Sequence, residues 1–164
     1  MTGDNSENKW IGKRTLRPDG QDKVTGRAQY GADFTLPGMI WGKVLRSPHA
    51  HARIKSINTD KAAALPGVKA VMTAKDIVDI PLAKPVLIGI ADMRWICRNV
   101  MARDKALFAG HPVAAVAAIS QKIADAAIAL IEVDYEVLPW VIDVDEAMKP
   151  GAPILHDQFR APGD

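Results

Sequence analysis

One stretch constrains this chain more than any other. Val113-Ala114-Ala115-Val116-Ala117-Ala118-Ile119 is apolar at every position. A strand built from it carries apolar side chains on both faces and belongs in the middle of a sheet. Ser120, directly after it, suits a helix N-cap. Across Gln121 to Ile131, the residues Ile123, Ala127, Leu130 and Ile131 recur at helical spacing as one apolar stripe. Glu132-Val133-Asp134-Tyr135-Glu136-Val137 then alternates strictly, which puts its carboxylates on one face of a strand. Strand, helix and strand together predict a β-α-β module. Asp143 is placed to cap a short last helix ending at Met148, and Lys149-Pro150-Gly151 stops it.

Upstream the pattern predicts a β-β-α-β module. Met39 to Arg46 reads as a strand, which Ser47-Pro48 interrupts because proline donates no ladder hydrogen bond. Ala52 to Ile57 reads as the next strand; its anchors Ile54 and Ile57 break the alternation, so a bulge is expected. Thr59 can cap a helix over Asp60 to Leu65, Pro66-Gly67 ends it, and Val68 to Met72 is a third strand. Residues 74–105, with Pro81 and Pro85, read as a long excursion that packs on another surface. The predicted organisation is a basic extended arm over residues 1–35, a folded domain over 36–148 and a linker over 149–164. The arm holds the turn Pro18-Asp19-Gly20 and a short strand over Lys23 to Tyr30. The linker contains Pro153, Pro162 and Gly163.

Composition removes several function classes. The chain has 164 residues, with 21 Lys and Arg against 19 Asp and Glu, a formal charge of +2. That balance supplies no broad basic surface, so nucleic acid is not an expected partner. The run Val113 to Ile119 is far shorter than the ~20 residues of a membrane helix. Met1 to Lys9 is polar, so neither a secretory signal nor an anchor is expected there. A single cysteine, Cys97, makes no internal disulfide and fits the cytoplasm.

No residue pattern reads as an active site. His49 and His51 share a strand face, but His111 and His156 lie far along the chain, and zinc needs three or four ligands. The alternative is structural: His49 and His51 flank a turn and bond backbone or a partner domain. Glu132, Asp134 and Glu136 read as a solvated face rather than an acid–base cluster. Asp19, Asp22 and Asp33 suit turns and salt bridges. Cys97 has Arg94 and Arg98 nearby but no legible base. Ser47 lies in Ser-Pro-His-Ala-His, which is not the Gly-x-Ser-x-Gly nucleophile turn. No glycine-rich phosphate cradle is legible, and Trp10, Trp41, Trp95 and Trp140 are too scattered for a base-stacking platform. The sequence therefore assigns no catalytic, cofactor-binding or metal residue. A small enzyme using His49, His51 and His111 is the weakest of the readings.

Several blocks do carry a resemblance. Ile11-Gly12-Lys13, Arg17-Pro18-Asp19-Gly20, Asp22 to Ala28 and Tyr30-x-x-Asp33 open the series. Gly42-Lys43-Val44-Leu45-Arg46-Ser47-Pro48-His49-Ala50-His51-Ala52-Arg53-Ile54, Leu65-Pro66-Gly67-Val68 and Arg103-Asp104-Lys105 follow. Gly110 to Val116 and Val133-Asp134-Tyr135-Glu136-Val137-Leu138-Pro139 complete it. In this order and spacing they resemble the start of the molybdopterin-binding large subunit of the xanthine dehydrogenase/aldehyde oxidase family, nearest to its bacterial hydroxylase and 4-hydroxybenzoyl-CoA reductase branch. Residues 78–100 depart most from the pattern.

The resemblance implies an α+β fold, the α/β-hammerhead with crossed β-ribbons, acting as an amino-terminal structural domain of an oxidoreductase. The family's cofactor-contacting glycine-rich loop, pterin-binding Gln and catalytic Glu match no position here, so no cofactor is expected in this chain, which is expected to be inactive alone. In the full enzyme the resemblance implies molybdenum–molybdopterin, [2Fe–2S] clusters, and FAD or another acceptor. The implied partners are a molybdopterin-binding domain or subunit, an iron–sulfur subunit and an FAD subunit, with room for a homo-oligomer. A free-standing hammerhead adapter without enzyme activity is the alternative.

Overall fold

The computed structural model describes residues 9–78, 87–88 and 91–156. It divides into two compact units, Met1–Pro37 and Gly38–Asp164.

The larger unit is built on two small antiparallel sheets. The first takes β1 (Trp41–Arg46), β7 (Pro112–Ala118) and β3 (Val68–Thr73), with β7 in the middle. The second takes β6 (Lys105–Ala106), β2 (Ala52–Asn58) and β8 (Glu132–Val137), with β2 in the middle. Its helices include α2 (Asp60–Ala63), α4 (Gln121–Ala129) and α5 (Val144–Ala147). The element order is the expected one, but the modules are not separate bodies. Strands β7 and β8, which flank one helix in sequence, sit in different sheets, and so do β1 and β2. Each sheet draws strands from both halves of the unit.

The wholly apolar stretch is the central strand, as its sequence requires. Ala114 and Val116 are buried on the face that meets Ala62 of α2, Ala127 of α4 and Ile131. Leu45, Val71, Leu130 and Val133 pack around that cluster. The opposite face is less covered than an apolar strand suggests. In register, Val44, Ala115 and Met72 lie side by side, and Val44 and Met72 remain 38% and 40% exposed. Beside them stand Gly42, Ala117 and Ala70, so the floor of this face is made of small side chains.

Local signals behave unevenly. The Ser120 hydroxyl accepts the Ile123 amide at 3.3 Å. The Asp143 carboxylate accepts the Glu146 amide at 3.0 Å. The expected bulge in β2 is present as a register shift between Ile54 and Ser56 against β8. Thr59 occupies the N-cap position of α2 without a side-chain cap bond. Asn58 Oδ1 instead accepts the Asp60 amide at 3.0 Å, and a shorter asparagine-built turn replaces the threonine cap.

Gly67 ends this turn with φ of +92°, in the left-handed region. A Cβ there would lie 2.8 Å from Ile123 Cδ1 and 3.1 Å from Ile119 Cγ1. Gly67→Ala is expected to cost ~1–3 kcal/mol. Thermal denaturation beside the parent chain checks it, and an unchanged melting temperature would contradict the strained turn.

Glu132, Asp134 and Glu136 are exposed, as the alternation predicts. Glu132 pairs with Lys61, and Glu136 with Arg53 at 3.4 Å. Asp134→Asn should therefore move unfolding free energy by less than ~0.5 kcal/mol. A larger loss in urea titration would place that carboxylate in a buried pair.

The described residues of the excursion carry regular structure that the sequence pattern does not predict. A 3-10 turn spans Ala74–Asp76, where the Thr73 amide donates to Asp76 Oδ2 at 2.7 Å. The short strands β4 (Leu87–Ile88) and β5 (Ala91–Asp92) pair antiparallel, and helix α3 follows at Met93–Arg98. Pro81 and Pro85 lie outside the described residues, as do Pro162 and Gly163 of the expected linker.

The smaller unit corrects one expectation. No strand forms over Lys23 to Tyr30: helix α1 (Gly20–Val24) takes its first two residues, a turn follows at 25–26, and a 3-10 turn stands beyond it at Gly31–Asp33. Asp19 draws in both Arg17 and Lys23, the latter at 2.8 Å, and these cations, Arg17 foremost, hold its carboxyl below the usual range. The Arg27 and Ala28 amides both fold back onto Asp22 O at 2.9 Å. These local bonds consume the backbone groups that a strand would leave for a neighbour. The Tyr30-x-x-Asp33 spacing has a similar basis: the Tyr30 amide donates to Asp33 Oδ2 at 2.9 Å. No described residue of this unit is buried. Among the described residues, no helix is long and apolar enough to cross a membrane.

Candidate functional site

The histidines serve structure. After β1 the chain turns a corner at Ser47-Pro48-His49. The Ser47 hydroxyl accepts the His49 amide at 3.1 Å and donates to the His49 carbonyl at 3.0 Å. Before β7 it turns a second corner at Gly110-His111. The two corners are bonded to each other: the Ser47 amide donates to His111 O at 2.9 Å, and the Gly110 amide to Ser47 O at 2.8 Å. Arg46 Nη1 adds a bond to Gly110 O at 2.9 Å.

Each buried ring serves a backbone group. His51 Nδ1 donates to Pro139 O at 2.7 Å. His111 Nδ1 accepts the Leu107 amide at 3.2 Å, and its Nε2 donates to Asn99 O at 2.8 Å. Phe108 stacks on the His111 ring at 4.5 Å. Burial pushes the His111 pKa below its ordinary value, against the raising effect of the Asn99 carbonyl. His49 meets the edge of Tyr135 at 5.0 Å, and burial raises the Tyr135 hydroxyl, opposed by a Ser47 bond. The alternative of turn-flanking histidines bonded to backbone describes His51. Among the described residues, His49, His51 and His111 do not gather as a metal site would require.

A different place gathers charge. A groove of about 360 Å³ lies beside α3 and β6, with Arg53, Arg98, Arg103 and Lys105 on its walls. Asp104 is the carboxylate among its lining residues. Trp95 stands against His156 in it, edge to face, at 4.8 Å. Sequence reasoning missed this site because its residues come from β2, α3, the approach to β6 and positions 155–156. The basic spacing Arg98, Arg103, Lys105 was the available signal, and nothing local says that those side chains converge.

The family's inorganic groups do not fit the donors present. A [2Fe–2S] cluster needs four protein ligands, normally thiolates. The chain has one cysteine, Cys97, which is exposed. Among the described residues no three of His, Cys, Asp and Glu gather as a metal would require.

The aldehyde oxidase and xanthine dehydrogenase a/b hammerhead domain model matches residues 25–139. The chain belongs to that family. The hammerhead domain is 46% identical over 136 residues to the carbon monoxide dehydrogenase large chain of Afipia carboxidovorans, covering 82% of this chain and 16% of that protein. It is 42% identical over 142 residues to a probable xanthine dehydrogenase component of Bacillus subtilis, covering 87% and 18%. Among solved structures, Cu,Mo-CO dehydrogenase superposes with a TM-score of 0.73 at 42% identity, over 92% of this chain and 18% of that one. Quinoline 2-oxidoreductase from Pseudomonas putida 86 gives 0.70 at 36%, over 87% and 18%. The hammerhead domain thus spans about a sixth of the length of the relatives it matches. The expected α+β hammerhead is the fold, and the two corners bonded through Ser47 and His111 lie within the matched residues.

Proposed function

We propose that this hammerhead domain is a structural domain of a molybdenum hydroxylase large subunit, supporting the molybdopterin-binding part and docking an iron–sulfur partner. The observation that carries this reading is the match across nearly all of this chain to only a sixth of its relatives. The donor set supports it, since both ring nitrogens of His111 and the Nδ1 of His51 are engaged with backbone groups. Residues 1–35 serve as a docking arm, 36–148 as the domain, and 149–164 as the lead toward the cofactor-binding polypeptide. The apolar sheet face of Val44, Ala115 and Met72, and the exposed Leu16, Val24, Phe34 and Leu36, supply apolar area for such packing. Residues 78–105 contribute a further docking surface.

In the assembled enzyme, molybdenum–molybdopterin, [2Fe–2S] and FAD reside on the partner domains or subunits, and the complex works in the cytoplasm. Metal analysis of the purified 164-residue chain tests the assignment. Substoichiometric molybdenum and iron are expected. One molybdenum per chain would overturn the structural-domain reading. Co-expression with the cofactor-binding polypeptide should yield a stable complex, and failure to associate would favour a free-standing adapter.

A further inference from the structure

The groove beside α3 has a composition that a structural support does not require. Its walls bring Arg53, Arg98, Arg103 and Lys105 together against Asp104, with Glu136 reaching Arg53 from β8. Asp104 stands 3.6 Å from Arg98, and like charges gathered in one groove favour a further anion among them. Two of them are poorly neutralised by the protein. Arg53 Nε stands 3.4 Å from Glu136, longer than the ~2.7–2.9 Å of a good charge-assisted bond. Arg103 pairs with no described carboxylate. Its Nη2 donates to the neutral Ile77 carbonyl at 2.9 Å, which fixes the guanidinium in the wall, and its Nε is buried without an acceptor. The remaining lining is Trp95, Leu107, Leu155, the His156 ring and the polar Asn99. A volume of about 360 Å³ falls in the range of small-molecule sites.

We propose that this groove binds a small phosphate ester with a planar organic part, its phosphate among the cations around Arg103 and its ring against Trp95. A dianionic phosphate suits several cations better than a single carboxylate does, and a planar body suits the indole wall. The groove's lining overlaps the docking surface proposed over residues 78–105, and the two readings are told apart because phosphate binding is read on the chain alone and docking on complex formation.

Titration of the 164-residue chain with phenyl phosphate tests it, by calorimetry and by amide and indole nuclear magnetic resonance shifts. Saturable binding is expected, with shifts at the Trp95 indole and the backbone of residues 98–105. Benzoate should bind about tenfold or more weakly, because it carries half the charge. Arg103→Gln should lower phenyl phosphate affinity by about tenfold while the thermal melt stays unchanged. If Arg103→Gln fails to fold, Arg53→Gln, on an exposed side chain, replaces it with the same expected direction. The proposal is overturned by the absence of saturable shifts at millimolar phenyl phosphate. It is also overturned if shifts spread equally to Lys43, Lys61 and Lys149. Binding of hexaglutamate with phenyl phosphate silent would make the groove a dock for an acidic protein segment, and would equally refute the phosphate ester.

Discussion

Val116→Asp abolishes the folded state of the chain. Val116 is 2% exposed at the middle of the central strand, between Lys43 of β1 and Val71 of β3 in register. Its side chain lies in the cluster with Ala62, Ala127 and Ile131. The cross-strand neighbour Lys43 is already held by Asp125 at 2.7 Å, and burying a carboxylate without a free partner costs several kcal/mol. Domains of this size are stable by only ~5–15 kcal/mol. Loss of the cooperative melt and of dispersed amide resonances is the expected readout. A melt like that of the parent would show that β7 is not central to the core.

His111→Leu produces the second large effect, and it carries a pH signature. The ring is fully buried and neutral, with its proton on the Nε2 that faces the Asn99 carbonyl. Leucine fills similar space but leaves the Leu107 amide and the Asn99 carbonyl unpaired in the interior. Each unsatisfied group costs ~1–3 kcal/mol. Burial also places the folded pKa of His111 below its unfolded value of 6.5. The unfolded state therefore binds the proton first as acid is added. The stability that the neutral ring contributes is complete above pH 6.5 and is lost as pH falls through the lower folded pKa. Urea titrations of parent and variant should show the parent losing stability below that point and the gap between them narrowing. A gap that does not change with pH would mean that the ring is solvated or charged in the folded chain.

What the sequence revealed followed from how local each signal is. Strand β7 was legible because seven successive apolar residues leave no solvent face. Ser120 and Asp143 were legible as caps because each acts within three residues of itself. Thr59 misled, since the neighbouring Asn58 offers a carbonyl oxygen that reaches the Asp60 amide instead. The strand expected over Lys23 to Tyr30 lost to helix α1, whose neighbour Asp19 holds Lys23 one turn along. Helix α3 escaped notice because six residues rich in polar and aromatic types show no stripe. Sheet membership of β7 and β8 was not legible, because no local pattern says which sheet a strand joins. The groove was hidden for the same reason: Arg53 and His156 lie far apart in the sequence.

The shared ownership of both sheets has a consequence for biosynthesis. Strands β1 and β3 cannot pair until β7 arrives to lie between them, and β2 waits for β6 and β8. A nascent chain on the ribosome therefore holds unmatched strand edges until residue 137 has left the exit tunnel. Such edges are sites of misassociation. Pausing translation before that point should recruit chaperones, whereas pausing just after should not.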